Sequence, residues 1–410
     1  MSCAVDARGL RDSEVRMTGP LSSLKILDFT TLLPGPFASM MLADLGADVL
    51  RVEAPHRPDI VRALPPRDGH GSAWHALLNR SKRSLALDLK QPGAVDIVKD
   101  LVKTYDIVLE QFRPGVMARL GIEYETLNQV NPGLIYVAIS GYGQTGPYKE
   151  RAGHDINYLA LAGVMSHTGR QETGPIPLGV QVADVGGGSL GAVAGILAAV
   201  IHRQQSGEGQ FVDISMFDAA IAWHGPVVSH FLVGNQEPTW ESWLLNGGSF
   251  YDFYRTADGR YLSVGSLEPK FWQGFCQAIG RPDLIETGWR TDDLAGQQKL
   301  KAEVKKVIAG RTFEEWRSIF AALDVCVEPV LTIAEMVDHP QTQARQMIVD
   351  VPQAGGATQR QVGSPFKFSK SQPTYKHTGT ELGQHTPAVL AELGYSQAKI
   401  EQLEAAGVFG

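Results

Sequence analysis

Two short stretches hold residue types suited to moving a proton. The first is Arg151-Ala-Gly-His154-Asp155-Ile-Asn-Tyr158, which follows the glycine-rich run Gly141-Tyr-Gly-Gln-Thr-Gly-Pro147. The pattern predicts a strand before the run and a helix beginning at His154, so Asp155 falls in the first turn. Backbone N–H groups there lack helical partners and the helix dipole is positive, which suits an anion or a developing oxyanion. A histidine at such a loop–helix junction is open to solvent, and imidazole ordinarily titrates near neutrality, as general acid–base work requires. The competing reading is a helix cap beside a surface histidine.

The second stretch is Val180-Gln-Val-Ala-Asp184-Val-Gly-Gly-Gly-Ser-Leu190, with its aspartate thirty residues beyond His154. Three successive glycines cost conformational entropy, so a close backbone approach, to ligand or to chain, is expected. The alternative is an aspartate capping a turn. A third carboxylate, Glu268 in Ser263-Val-Gly-Ser-Leu-Glu-Pro-Lys-Phe271, falls between a hairpin and a helix. By itself it reads as a helix-start carboxylate favoured by the dipole. Basic residues form another set. Arg51 ends a strand, Arg80, Lys82 and Arg83 cluster in NRSKRS, and Arg113 and Arg119 lie in FRPGVMARLG. Arginines near strand ends can hold phosphates, although any one of them alone reads as solvated surface.

The elements that position these residues alternate strand and helix. Leu24–Thr30 is a compact apolar run, Pro34-Gly-Pro36 opens a helical pattern to Leu45, and Asp48–Glu53 is the next strand. Strands follow at Ser84–Leu89, Asp106–Phe112 and Leu134–Gly141, with a helix near 92–104. Such alternation predicts an α/β fold with a Rossmann-like parallel sheet flanked by helices. Yet the turn after the first strand, Thr31-Leu-Leu-Pro-Gly-Pro36, lacks GxGxxG, so no nicotinamide cofactor is expected. No P-loop, GxSxG elbow or HExxH spacing occurs, and no metal is expected. Long helical patterns at His154–Met165 and 187–204 precede a strand at Gln210–Ser215 and a helix from Met216. Ser249–Ser266 reads as a hairpin around Ala-Asp-Gly. Helices follow near 270–279, 298–309 and 312–323, then a strand at Cys326–Leu331 and a helix over 333–346. The division is a loose extension at 1–20, a large domain at 21–224, a smaller α+β domain at 225–330, and a return to the large domain with a tail at 331–410.

Composition narrows the function classes. The 410 residues carry a net charge of −7, which disfavours nucleic acid and anionic membrane as bulk partners. Cys3, Cys276 and Cys326 are odd in number and far apart, so a reducing cytoplasm is the expected compartment. The apolar run Leu190–Ile201 is too short to span a bilayer, so no membrane span is expected.

From about Leu21 to Gly410 the chain resembles the family III CoA-transferase superfamily. The segments that carry this are LKILDFTTLLPGPFASMMLADLGADVLRVEAP, NRSKRSLALDLK, FRPGVMARLG, SGYGQTGP and GQFVDISMFDAA. Through GHDINYLALAGV, ADVGGGS and FYDFYRTADGRYLSVGSLEPKFW it most resembles the α-methylacyl-CoA racemase branch. That resemblance implies an interlocked homodimer, with the active site between the large domain of one chain and the small domain of its partner. It implies His154, paired with Glu268, on one face of C2 of a 2-methylacyl-CoA, and Asp184 on the other. The Asp155 backbone N–H would support the enolate oxygen. Arg51, Arg83 and Arg119 would meet the phosphates and adenine of coenzyme A, with Gly153 and Tyr158 along the pantetheine path. Coenzyme A would enter as part of the substrate, with no tightly bound cofactor. The superfamily also uses an aspartate at the position of Asp184 as the nucleophile of a CoA transferase.

Overall fold

The structure, a computed structural model, describes residues 19–290 and 293–410. Most of the expected N-terminal extension lies outside the described residues. The backbone at Gly19 packs directly on Leu45 and Gly46.

Six parallel strands form the main sheet: β1 (Lys25–Asp28), β2 (Asp48–Glu53), β3 (Arg83–Ala86), β4 (Ile107–Glu110), β5 (Ile135–Ser140) and β6 (Phe211–Ser215). Their order across the sheet is β6-β5-β4-β1-β2-β3. The sense in which successive strands are added reverses between β1 and β4, as in a doubly wound fold, where ligands collect beyond the carboxyl ends of the strands. Both faces are covered at the centre, which is why β4 and β5 read as nearly continuous apolar runs. The two-residue period sorts them. Ile26, Ile107 and Ile135 enter one core, and Leu27, Val108 and Tyr136 enter the other.

The first face is covered by α1 (Pro34–Asp44), α3 (Asp155–Leu161) and α4 (Gly191–Ser206). The opposite face is covered by α2 (Ala94–Leu101) and by helices Thr386–Glu392 and Gln397–Ala405, which bring the C-terminal part of the chain back to the sheet. Residues 250–331 build a separate core around Trp272, Phe275, Trp316 and Phe320. It packs on a three-stranded antiparallel sheet of β7 (Asp252–Arg255), β8 (Tyr261–Val264) and β9 (Val327–Pro329). The β7–β8 turn carries Gly259 at φ +83°, where a side chain would be strained.

Three expectations are corrected. The helix expected over 333–346 breaks into Ile333–Asp338 and Pro340–Ala344. Pro340 forces His339 out of helical geometry, to φ −65° and ψ 136°. A strand at Ile348–Pro352 pairs antiparallel with Thr358–Val362; its mixed polar pattern carries no strong strand signal. Finally, the apolar helical stretch is longer than Leu190–Ile201. It runs 25 residues from Val182 to Ser206, long and apolar enough to cross a bilayer by those criteria alone. Ala192, Val193, Ile196 and Val200 nevertheless lie in the sheet core.

Candidate active site

The site grows from the carboxyl end of β5. The chain leaves Ser140, runs through the glycine-rich loop and returns at Gly153 to start α3. Tyr158 explains why two of those glycines are needed. Its buried ring lies against Gly141 and Gly153, where a Cβ would come within 2.5 and 2.6 Å of it. Its hydroxyl donates to the Gly153 carbonyl at 2.6 Å. Tyr158 and Gly153, expected along the pantetheine path, therefore brace the loop.

This brace sets His154 as the residue before α3, extended at φ −130° and ψ 174°. Its backbone N–H donates to Asn157 Oδ1 at 3.0 Å, and its side chain is exposed. Asp155 opens the helix, and its backbone N–H has no carbonyl one turn earlier to meet. Its carboxylate does something sequence reading missed. Oδ1 accepts the N–H groups of both Ala183 (2.7 Å) and Asp184 (3.0 Å). One carboxylate thus clamps the start of the second stretch to the first.

That second stretch, Val182–Leu190, is π-helical and leads directly into α4. Wide turns of this kind are rare and often mark functional sites. Its glycines answer the question left open between ligand and chain, because the close approach is to chain. A Cβ at Gly186 would come within 1.9 Å of Trp223 at the end of α5 (Met216–Trp223). At Gly187 it would press on Ala219, and at Gly188 on Pro34 and Met216. Ser189 fixes the far end by donating to the Pro34 carbonyl at 2.6 Å.

Asp184 lies half-buried in the first turn of this stretch. Burial, then the neighbouring Asp155 carboxylate, push its carboxyl up to about 6, against the opposing pull of His154. A carboxyl there exchanges protons readily near neutrality. His154 and Asp184, together with Asp155, line one cleft of about 330 Å³. Ile156, Leu159, Met165 and Leu178 give it apolar walls, and Gln181 adds one amide.

The remaining expected residues lie elsewhere. Glu268 is exposed at the start of α7 (Pro269–Ala278), on the separate 250–331 core, and does not line this cleft. Arg51 is corrected as a phosphate ligand. It is 1% exposed, with Nη2 bound to Asp59 at 2.5 Å and Nη1 3.7 Å from Glu53. Arg83 is tied to Glu392 at 2.7 Å and to Asp48 and the Tyr105 hydroxyl, so its guanidinium is already engaged. Arg119 remains exposed on the helix Val116–Leu120.

The Asp155 clamp yields a prediction. Asp155→Asn keeps an acceptor but removes the charge, so the Asp184 carboxyl should ionise at lower pH and the acidic limb of the rate profile should move down. Asp155→Ala removes both and should cost a further ~10-fold in kcat, in line with misplacement of a reacting group. Superimposable pH profiles for all three proteins would sink the clamp's role.

Comparison with known proteins places this geometry. The CoA-transferase family III model matches residues 21–386. The chain belongs to CoA-transferase family III. It is 36% identical over 397 residues to alpha-methylacyl-CoA racemase of Homo sapiens, covering 93% of this chain and 96% of that protein. It is also 35% identical over 386 residues to succinate–glutarate CoA-transferase of Agrobacterium fabrum, covering 91% and 96%. Among solved structures, a CAIB/BAIF family protein from Brucella suis superposes with a TM-score of 0.79 at 29% identity, covering 92% of this chain and 100% of that one. Racemases and CoA transferases thus stand at nearly equal similarity, and the side chains of the cleft become the basis for choosing between their reactions.

Proposed function

We propose that this family III enzyme interconverts the C2 epimers of 2-methylacyl-CoA thioesters. The observation that carries the reading is that His154 and Asp184 line one cleft. Epimerisation removes a weakly acidic α-proton and returns one to the opposite face of a planar enolate. It therefore needs two carriers, one protonated and one not, whose roles swap with direction. His154 serves one face and Asp184 the other. The Asp155 backbone N–H supports the enolate oxygen, where negative charge develops. Coenzyme A arrives with the substrate, and Arg119 is the exposed cation of the predicted set for its phosphates. No metal or nicotinamide takes part in this reading.

Glu268 reaches His154 in this proposal from a second copy of the chain. Support comes from apolar surface that one chain leaves open. Leu190 and Ile201 on the 182–206 stretch, Trp223 on α5, and Leu232 and Val233 on α6 (Gly225–Gly234) are 45–89% exposed. Large apolar side chains left open to solvent are what an interface between chains would cover.

The second reading is a CoA transferase. There the Asp184 carboxylate attacks the thioester carbonyl and expels CoA thiolate, giving a mixed anhydride; the thiolate then attacks the aspartyl carbonyl, releasing the donor acid and leaving an aspartyl-CoA thioester. The half-buried, slow-to-ionise Asp184 fits that role too, but His154 has no proton to carry in it. Incubation of one epimer in D2O separates the two. Racemisation should bring deuterium into C2 at the same pace as the other epimer appears. His154→Ala should abolish both while acyl-CoA binding persists. CoA exchange to a free acid without C2 deuteration would establish the transferase instead.

A further inference from the structure

The cleft at His154 and Asp184 has less than half the volume of a second cavity that shares a lining residue with it. That cavity, of about 750 Å³, lies between the segment 167–178 and residues 243–265 of the same chain. Leu178 lines both spaces. We propose that the acyl tail of the substrate passes over Leu178 into this second cavity, and that Leu178 sets the tail length the enzyme prefers. The inference rests on the reading that an acyl thioester reacts at the cleft, and it holds for either reaction.

Leu178 is well placed for this. It lies in an exposed segment, with Ile176 44% and Leu178 37% exposed. Both ends of that segment are pinned. Upstream, Arg170 donates to Asp252 at 2.6 and 2.8 Å and to Glu241 at 3.0 Å, and the Gln171 N–H donates to Glu241. Downstream, the Asp155 carboxylate holds Ala183 and Asp184. A side chain between two fixed points that borders both spaces acts as a sill.

The lining also selects the tail's chemistry. Trp243, Leu245, Tyr251 and Phe253 present apolar surface. The lining cation, Arg170, is fully committed to Asp252 and Glu241, and Glu328 adds a carboxylate. An acyl group ending in a second carboxylate meets repulsion with no free cation, whereas a neutral tail gains roughly fourfold in affinity per buried methylene. The volume lies in the range of small-molecule sites, 300–1,000 Å³. The predicted class is therefore a neutral, extended apolar acyl chain, not a dicarboxylyl group.

Equilibrium binding to the full chain tests this without turnover. Acetyl-, butyryl-, octanoyl-, hexadecanoyl- and succinyl-CoA are titrated against wild type, Leu178→Trp and Leu245→Asp. In wild type, affinity should climb with tail length, and succinyl-CoA should bind more weakly than butyryl-CoA. Leu178→Trp, which narrows the passage, should lower the hexadecanoyl-to-acetyl affinity ratio at least tenfold. Leu245→Asp, placed only in the outer cavity, should lower it as well. A ratio unchanged in both variants, or tighter binding of succinyl-CoA than butyryl-CoA, overturns the proposal. Binding of no acyl-CoA by wild type would overturn the functional reading beneath it.

Discussion

Asp184→Asn is expected to lower the rate of epimerisation by about 10²- to 10⁴-fold in both directions, the range for losing a positioned acid–base group. The change is nearly isosteric, so acyl-CoA binding should persist, and the loss should appear in kcat. The same substitution should stabilise the fold at neutral pH. In the unfolded chain an aspartate ionises near pH 4, whereas in the folded chain burial and Asp155 delay Asp184 to about 6. Between those values the folded state binds the extra proton, so its stability falls as pH rises and stays lower above 6. Relief of that penalty in the variant amounts to ~1–2 kcal/mol once partial exposure to solvent is discounted. Urea unfolding at pH 8 and pH 4 checks this, with the gap between the two proteins closing at the lower pH. A variant as active as wild type would remove Asp184 from the proton path.

The largest structural effect is expected away from the cleft, at Arg80. Its guanidinium is 1% exposed and forks onto Asp44 at 2.9 and 2.6 Å. It also donates to the Val362 carbonyl at 2.7 Å and lies 4.7 Å from the Tyr375 ring centre. One side chain thus joins the end of α1 to the returning strand Thr358–Val362. Arg80→Ala leaves Asp44 buried without its partner, and breaking such a pair costs ~3–5 kcal/mol. Lysine should not rescue it, because an ammonium cannot reproduce the fork. Chemical denaturation reads the result, and a loss below ~1 kcal/mol would contradict this view of the joint.

The centre of the main sheet was legible in sequence because a parallel strand buried on both faces leaves a nearly unbroken apolar run, as in β5, and β2 appears over the residues expected despite its charges. The hairpin was legible through Asp258-Gly259. The site was legible only in part. His154 and Asp184 announce themselves by type and by flanking glycines, but Asp155 offers two functions, and local pattern points to its backbone when its carboxylate also matters. Arg51 misled for the opposite reason. An arginine at a strand end reads as a phosphate ligand unless one knows that Asp59 and Glu53 fold onto it, and that pairing is tertiary. The placement of Glu268 on a separate core is likewise a matter of topology, invisible to spacing.

The Asp155 clamp has a mechanical consequence. Because that one carboxylate ties the turn bearing Asp184 to the helix start bearing His154, the backbone under both residues is one tied frame, and Ser189 anchors its far end to Pro34. Loop movement would then carry both residues together. In the proposed epimerisation one group takes the C2 proton from one face and the other returns a proton to the opposite face, so it is the methyl and the acyl chain of the substrate that move through the plane of the enolate.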